Sequence, residues 1–303
     1  MSKRPVRVLI DTDPGLDDAV GILYALACQG FAVDAMTSVA GNIGITTTTQ
    51  NIGRLMAAMG RDDIAYAAGA ARPLHGAGRD EAAIHGSDGL GGVVLSAPQR
   101  PPEAQDATPF LASRLRVALS GALTVLALGP LTNLAQLARD EPAAYARIGR
   151  IIAMGGTLDE PGNSGPFAEF NMACDPLAAQ LVFAAPVPVT LVPLDVTRKL
   201  RASPADLDRL ASSGTKAALL AADLIRTYFA SHTDRQSRPL HDPCVMLMAL
   251  SPELFETQTL RLTIDREAHP GRLEKAPDGA LIEVAMGIDP VAALETLWRG
   301  LGR

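Results

Sequence analysis

The stretch DTDPGLDD, residues 11–18, sits between the apolar run VRVLI at 6–10 and the largely apolar AVGILYALAC at 19–28. The run at 6–10 reads as a buried strand. Residues 17–28 read as a helix whose first turn carries Asp17 and Asp18, where the helix dipole favours negative charge. Pro14-Gly15 turns the chain between the two. Asp11, Asp13, Asp17 and Asp18 place four carboxylates within eight residues. Carboxylates this close repel one another unless protons or a cation intervene. A hard cation such as Ca²⁺ or Mg²⁺ resolves the conflict, because both prefer oxygen ligands. Helix capping accounts for Asp17 or Asp18, but not for all four acids.

The strand-turn-helix order recurs outward from this stretch. Strands are expected at 35–39, 64–66, 123–128, Arg150–Met154 and Val189–Val192. Helices are expected at 46–59, 108–120, 131–139 and 176–183. The strands are short and nearly continuously apolar, which implies a parallel sheet covered on both faces. The expected fold class is therefore α/β, a mostly parallel central sheet flanked by helices. The last third is more helical (204–211, 215–231, Pro243–Leu250). A late strand pair follows at 260–264 and 281–285, and the helix Pro290–Leu301 closes the chain. The Pro/Ala/Gly-rich segments 97–107 and 155–166 read as loops, because the strand pattern resumes after each. Residues 1–303 are expected to form one domain.

Ligands of open α/β sheets bind beyond the carboxyl ends of the strands. After the strand at 6–10 comes the acidic turn, and after 35–39 comes Ala40-Gly-Asn42. Gly129-Pro-Leu-Thr-Asn133 follows 123–128. Gly155-Gly156, and a loop later Glu169-Phe-Asn171, follow Arg150–Met154. Pro193-Leu-Asp195 follows Val189–Val192. Small and polar residues thus collect on one edge of the expected sheet, as an active site requires.

Asp242, in His241-Asp-Pro243, repeats the Asp-Pro pattern of helix starts found at Asp175 and Asp289. The latter two read as caps. Asp242 differs by its neighbour His241 and by the acidic turn's need for a further ligand. His85 lies in the Gly-rich HGSDGL, residues 85–90, where a side chain can reach a ligand. His75, His232 and His269 read as surface or satisfied polar residues, and residues 46–49 as a helix entry. Tyr228 and Phe229 are expected to face the core.

Composition narrows the partners. Net charge is −6 and the chain holds no dense Lys/Arg run, which disfavours nucleic acid. No stretch approaches the roughly 18 apolar residues of a membrane span. The apolar run after the basic start stops at Asp11, short of a signal peptide. Cys28, Cys174 and Cys244 are odd in number and widely spaced, which implies reduced thiols and a cytoplasmic setting.

Taken together, DTDPGLDDA from 11, AGN at 40–42, HG at 85–86, GPLTN at 129–133, MGG at 154–156, AEFN at 168–171 and HDPC at 241–244 resemble the inosine–uridine-preferring nucleoside hydrolase family. They occur in the family's order. The resemblance implies a single Rossmann-like α/β domain, assembly as a homodimer or homotetramer, one bound Ca²⁺, and hydrolysis of ribonucleosides to ribose and free base. It implies Asp13, Asp18 and Asp242 as carboxylate ligands, with the Leu128 carbonyl as a fourth. Asp17, Asn42, Asn163, Glu169 and Asn171 look like ribose binders, with Met154 lining the sugar pocket. Asp13 is then also the candidate base for a metal-bound water. His241 and His85 are candidate groups for the leaving base. Two departures bear on the base. Residues 230–240 are shorter than in many relatives and lack an aromatic over the base, and the one tryptophan, Trp298, reads as structural. The pattern around His85 resembles inosine–uridine- and pyrimidine-preferring members. Competing readings are a Mg²⁺-dependent phosphoryl hydrolase and a non-catalytic Ca²⁺- or ribose-binding protein on the same scaffold. The first lacks a Walker lysine or a basic cluster.

Overall fold

The computed structural model describes residues 4–230 and 236–302. Val6–Thr12 (β1) lies inside a nine-stranded sheet. Its alternation shows why: Val8 and Ile10 enter the apolar core on one face, and Leu9 enters the core on the other. On one side β1 pairs in parallel with Phe31–Ser38 (β2), and β2 with Ala65–Ala67 (β3). On the other side it pairs in parallel with Thr124–Ala127 (β4), followed outward by Arg150–Met154 (β5) and Val189–Val192 (β6). Arg201–Ala202 (β7) and Arg238–Pro239 (β8) form a separate antiparallel pair. Phe255–Ile264 (β9), Leu273–Lys275 (β10) and Ala280–Ile288 (β11) complete the large sheet, in the order β10-β9-β11-β6-β5-β4-β1-β2-β3.

The α/β architecture is as expected, with one edge the sequence reading only partly caught. β11 joins β6 in parallel, while β9 runs antiparallel to both β11 and β10. β9 begins at Phe255 rather than 260, because Glu256–Gln258 and Thr259 are exposed and carry no apolar signal. The short β10 was not expected. Helices cover both faces. Leu16–Ala27, Lys216–Ala230, Pro243–Leu250 and Pro290–Leu301 pack on one, and Ala107–Val117, Thr132–Asp140 and Pro176–Ala184 on the other. Trp298 is buried and its indole N–H donates to Asp206 at 2.8 Å, so its structural role holds. All three cysteines are free. Among the described residues, no helix is long and apolar enough to cross a membrane. His232 lies outside the described residues.

The chain runs from β1 outward through β2 and β3, then returns to β4 on the other side of β1. Strand order therefore reverses between β1 and β4, and the carboxyl ends of these two strands flank a crevice. Asp11 lies opposite Ala127 in register, and the Leu128 N–H donates to the Asp11 carbonyl at 2.8 Å. Asp13 and Leu128 thus leave the sheet side by side, although 115 positions separate them in the chain.

Candidate active site

A cleft of about 380 Å³ opens at this crevice. Asp17, Asn42, His85, Leu128, Met154, Asn163, Glu169, Asn171, His241 and Asp242 all line it. Asp13 and Asp18 are buried, and both accept hydrogen bonds from Asn42 of this lining.

Carboxylate oxygens of Asp17, Asp18 and Asp242 lie within 4.8 Å of one another. Asp18 Oδ1 accepts from the Thr12 hydroxyl at 2.7 Å, and its Oδ2 from Gly15 N–H at 3.0 Å and Asn42 Nδ2 at 2.8 Å. Capping is therefore part of what Asp18 does, through the Gly15 bond, and no more. Asp13 Oδ2 accepts the Asn42 N–H at 2.6 Å, while the buried Oδ1 has no hydrogen-bond partner. The backbone beside Asp13 must be bare. A Cβ on Gly41 would fall 2.1 Å from Asp13 Oδ2, and one on Gly129 2.4 Å from Oδ1.

Asp242 separates from the other Asp-Pro pairs. Asp175 accepts from Ala178 N–H at 3.0 Å, and Asp289 from Val291 and Ala292 N–H, so both are caps. Asp242 makes no such bond, although it too precedes a helix-starting proline. Its carboxylate instead joins the acids of the first turn. Burial, then mutual repulsion, pushes Asp242 and Asp13 well above the ordinary carboxylate range and raises Asp18. Burial pushes Asp17 up to about 6. Among the described residues no Lys or Arg forms an ion pair with any of these four. Crowded carboxylates, an orphaned buried oxygen and no basic partner are the donor set of a hard divalent cation. This buried Asp cluster is of the kind that binds Ca²⁺ in the nucleoside hydrolases. The geometric cluster contains Asp17, which the sequence reading placed with the sugar, and Asp13 adjoins it rather than belonging to it.

Across the cleft, Asn171 Nδ2 donates to the carbonyls of Leu128 at 2.7 Å and Met154 at 3.2 Å. Glu169 caps the helix Phe170–Cys174. Its Oε1 accepts from Asn171 N–H at 2.8 Å, and its Oε2 from Gly156 N–H at 2.9 Å and Met172 N–H at 3.1 Å. Burial carries its carboxyl up to about 7 against those bonds. Asn163 Oδ1 accepts from Phe170 N–H at 2.8 Å.

Both histidines are held by the chain. His85 Nδ1 accepts the Leu16 N–H at 3.0 Å. His241 Nδ1 meets the Thr197 hydroxyl at 2.7 Å. Burial lowers His85 to about 4 and His241 to about 3, so both rings are neutral at neutral pH. Tyr228 does not simply face the core. It lines the cleft, 6.5 Å from His85 in a stacked arrangement, with the Arg238 guanidinium 4.8 Å over its ring. Its position on an apolar helix hid this. Arg238, Glu81 and Arg198 also line the cleft and carried no signal, apart from the nearness of Arg238 to His241 in sequence.

Residues 8–294 match the inosine-uridine preferring nucleoside hydrolase family. The chain belongs to this family. It is a ribonucleoside hydrolase, cleaving the N-glycosidic bond. The chain is 38% identical over 254 residues to the pyrimidine-specific ribonucleoside hydrolase RihA of Salmonella agona (strain SL483), covering 82% of this chain and 81% of the relative. Among solved structures it is similar to the plant nucleoside hydrolase PpNRh1 (TM-score 0.93, 30% identity, 98% of this chain and 99% of that one). It is also similar to a purine-preferring ribonucleoside hydrolase from Gardnerella vaginalis (TM-score 0.90, 26% identity, 98% of each chain).

Proposed function

We propose that this nucleoside hydrolase is Ca²⁺-dependent and prefers inosine/uridine or pyrimidine ribonucleosides. The observation that carries the metal is the buried, unpartnered Oδ1 of Asp13 beside the Asp17–Asp18–Asp242 cluster. Asp13, Asp18, Asp242 and the Leu128 carbonyl would hold the ion. The Leu128 oxygen has a lone pair to spare beyond its bond to Asn171. Bound Ca²⁺ supplies the electrostatic field that orients and acidifies a water at neutral pH.

The chain's own groups do the rest. Asp13 takes the proton of the attacking water through Oδ1. Asp17, Asn163, Glu169 and Asn171 face the sugar, with Met154 as the apolar wall beneath it. Asn42 contributes differently: both its donors go to Asp13 and Asp18, so it orients the acids as much as the ribose. The surrounding carboxylates stabilise the positive charge that develops on ribose. His241 and His85 face the departing base as neutral rings, so their part is hydrogen-bond donation rather than delivery of an imidazolium proton.

The similarity to RihA and the absence of a tryptophan from the cleft support the base preference, since Trp298 is held at Asp206. One sheet drawing strands from both the first and last thirds supports one domain. Three free cysteines suit a cytoplasmic setting, and dimeric or tetrameric assembly belongs to the same proposal. Reducing-sugar release from uridine, cytidine, inosine, adenosine and 2′-deoxyuridine, with and without chelator, tests it. The expected order is uridine or inosine first and adenosine last, with activity lost in chelator. Turnover of 2′-deoxyuridine equal to that of uridine, or full activity without divalent cation, would sink it.

A further inference from the structure

We propose that Asp195 and Thr197, on the single helical turn Leu194–Thr197 after β6, are positioning residues that set two parts of the cleft lining: Thr197 fixes the tautomer of His241, and Asp195 shapes the loop that presents Asn163. The claim rests on the reading above for the roles of His241 and Asn163. Neither Asp195 nor Thr197 lines the cleft.

Thr197 is fully buried, and its hydroxyl has the His241 Nδ1 as its one hydrogen-bond partner among the described residues. A threonine hydroxyl carries one proton, and a buried donor left without an acceptor is costly. The proton therefore goes to Nδ1. That nitrogen must be the unprotonated one, and the ring proton sits on Nε2, on the far side from Thr197. His85 arrives at the same tautomer by another route, since its Nδ1 accepts a backbone N–H. Two histidines of the cleft lining thus carry their ring proton on Nε2, a donor suited to the carbonyl oxygens and ring nitrogens of a nucleobase. Without Thr197 nothing in the described contacts would hold His241 in that form.

Asp195 acts on the loop before Asn163. Its Oδ2 accepts the Leu158 N–H at 2.9 Å, and its Oδ1 accepts those of Asp159 at 2.7 Å and Glu160 at 3.1 Å. One carboxylate so gathers three successive N–H groups into a tight turn. Arg198, just past the helical turn, donates to the next carbonyls, Pro161 at 2.7 Å and Gly162 at 3.3 Å. Asn163 follows directly, and its side chain and backbone are tied to Phe170 and Ala168. The loop that carries a sugar-facing side chain is therefore shaped from the same turn that orients the base-facing histidine. A displacement of this turn moves both together.

The test uses the full-length, Ca²⁺-loaded protein with uridine as substrate. In Thr197→Val the nitrogen-15 long-range spectrum of His241 should lose the pure Nε2–H pattern. The kcat should fall about tenfold, with KM within about threefold of the parent, and Thr197→Ser should restore both. In Asp195→Asn the amides of residues 158–160 should exchange about tenfold faster. There KM for uridine and Ki for ribose should rise about fivefold or more, with kcat little changed. The spectrum and the exchange rates need no substrate. They decide the positional claim even if His241→Ala leaves kcat intact, a result that would count against the role given to His241 above. An unchanged tautomer in Thr197→Val, or unchanged exchange in Asp195→Asn, overturns the proposal. So does a parallel loss of kcat, KM and melting temperature in both variants, which marks ordinary structural damage.

Discussion

Removing divalent cation should make the protein's stability fall as pH rises, and restoring Ca²⁺ should abolish most of that fall. The Asp17 carboxyl is carried from an ordinary value of 3.8 to about 6 by burial, and Asp13, Asp18 and Asp242 move in the same direction. A raised carboxyl keeps its proton in the folded protein where the unfolded chain has already lost it. Its folded form is thus undisturbed below about pH 4, loses ground as pH climbs through about 6, and bears the whole cost by pH 8. For Asp17 alone that cost is about 3 kcal/mol. In a chain of 303 residues this amounts to a loss of about 5 °C in melting temperature. The other three acids add to it, although not independently, because protons and repulsion are shared among them. A bound cation replaces the shared protons, so it stabilises the ionised cluster most where the chelated protein is weakest. Binding at a thousandfold excess over Kd contributes about 4 kcal/mol more. The assay is a set of melting curves from pH 5 to 8 in chelator and in excess Ca²⁺. The two series should diverge as pH rises. Superimposable curves at pH 8 would refute the reasoning, because four buried carboxylates would then be stable without either proton or cation.

Three further changes separate site from scaffold. Asp242→Asn should lower activity at least about a hundredfold and remove the Ca²⁺-dependent gain in melting temperature. Asp289→Ala, at a true cap, should cost only about 1 kcal/mol of stability and leave kcat and KM intact, as thermal melts and uridine kinetics would show. Gly129→Ala places a methyl 2.4 Å from Asp13 Oδ1, so Asp13 must move; kcat should fall about tenfold or more in the same uridine assay, with a folded circular dichroism spectrum.

The site was legible in the sequence to the extent that a parallel sheet makes it so. All parallel strands end on one edge, so whatever polar residues follow the strands must meet there, however far apart they lie in the chain. That logic brought Asp13, Asn42, Leu128, Met154 and the 169–171 segment to one place without any contact being known. It says nothing of which donor serves which acceptor. The role of Asn42 as a sugar ligand comes from the family resemblance alone, and its side-chain amide and backbone N–H donate to Asp18 and Asp13. The sugar role of Glu169 also comes from the resemblance, and both its oxygens accept backbone N–H groups, of its own helix start and of Gly156. Tyr228 was hidden because a helix face that borders a cleft and one that borders the core carry the same apolar pattern. β9 was cut short for the converse reason: an antiparallel edge strand exposes one face, and its polar half looks like loop.

The three Asp-Pro pairs at helix starts show where sequence reasoning succeeded by refusing a uniform answer. Local propensity treats Asp175, Asp242 and Asp289 alike, since each precedes a proline that starts a helix. Two of them do cap. The third leaves its helix N-terminus without a side-chain cap, forgoing stabilisation worth about 1 kcal/mol. A carboxylate that gives up an available cap in order to lie buried among three other acids is held there against both local preference and electrostatics. At neutral pH and above, the fold sustains that best when a bound cation takes the place of the protons the cluster would otherwise keep. The pairing of a declined cap with an orphaned oxygen on Asp13 makes a cation the economical explanation. It also explains why the acidic turn, conspicuous as it is, could not complete the site alone: Asp242, more than two hundred residues away, brings a further carboxylate oxygen within 4.8 Å of those of Asp17 and Asp18.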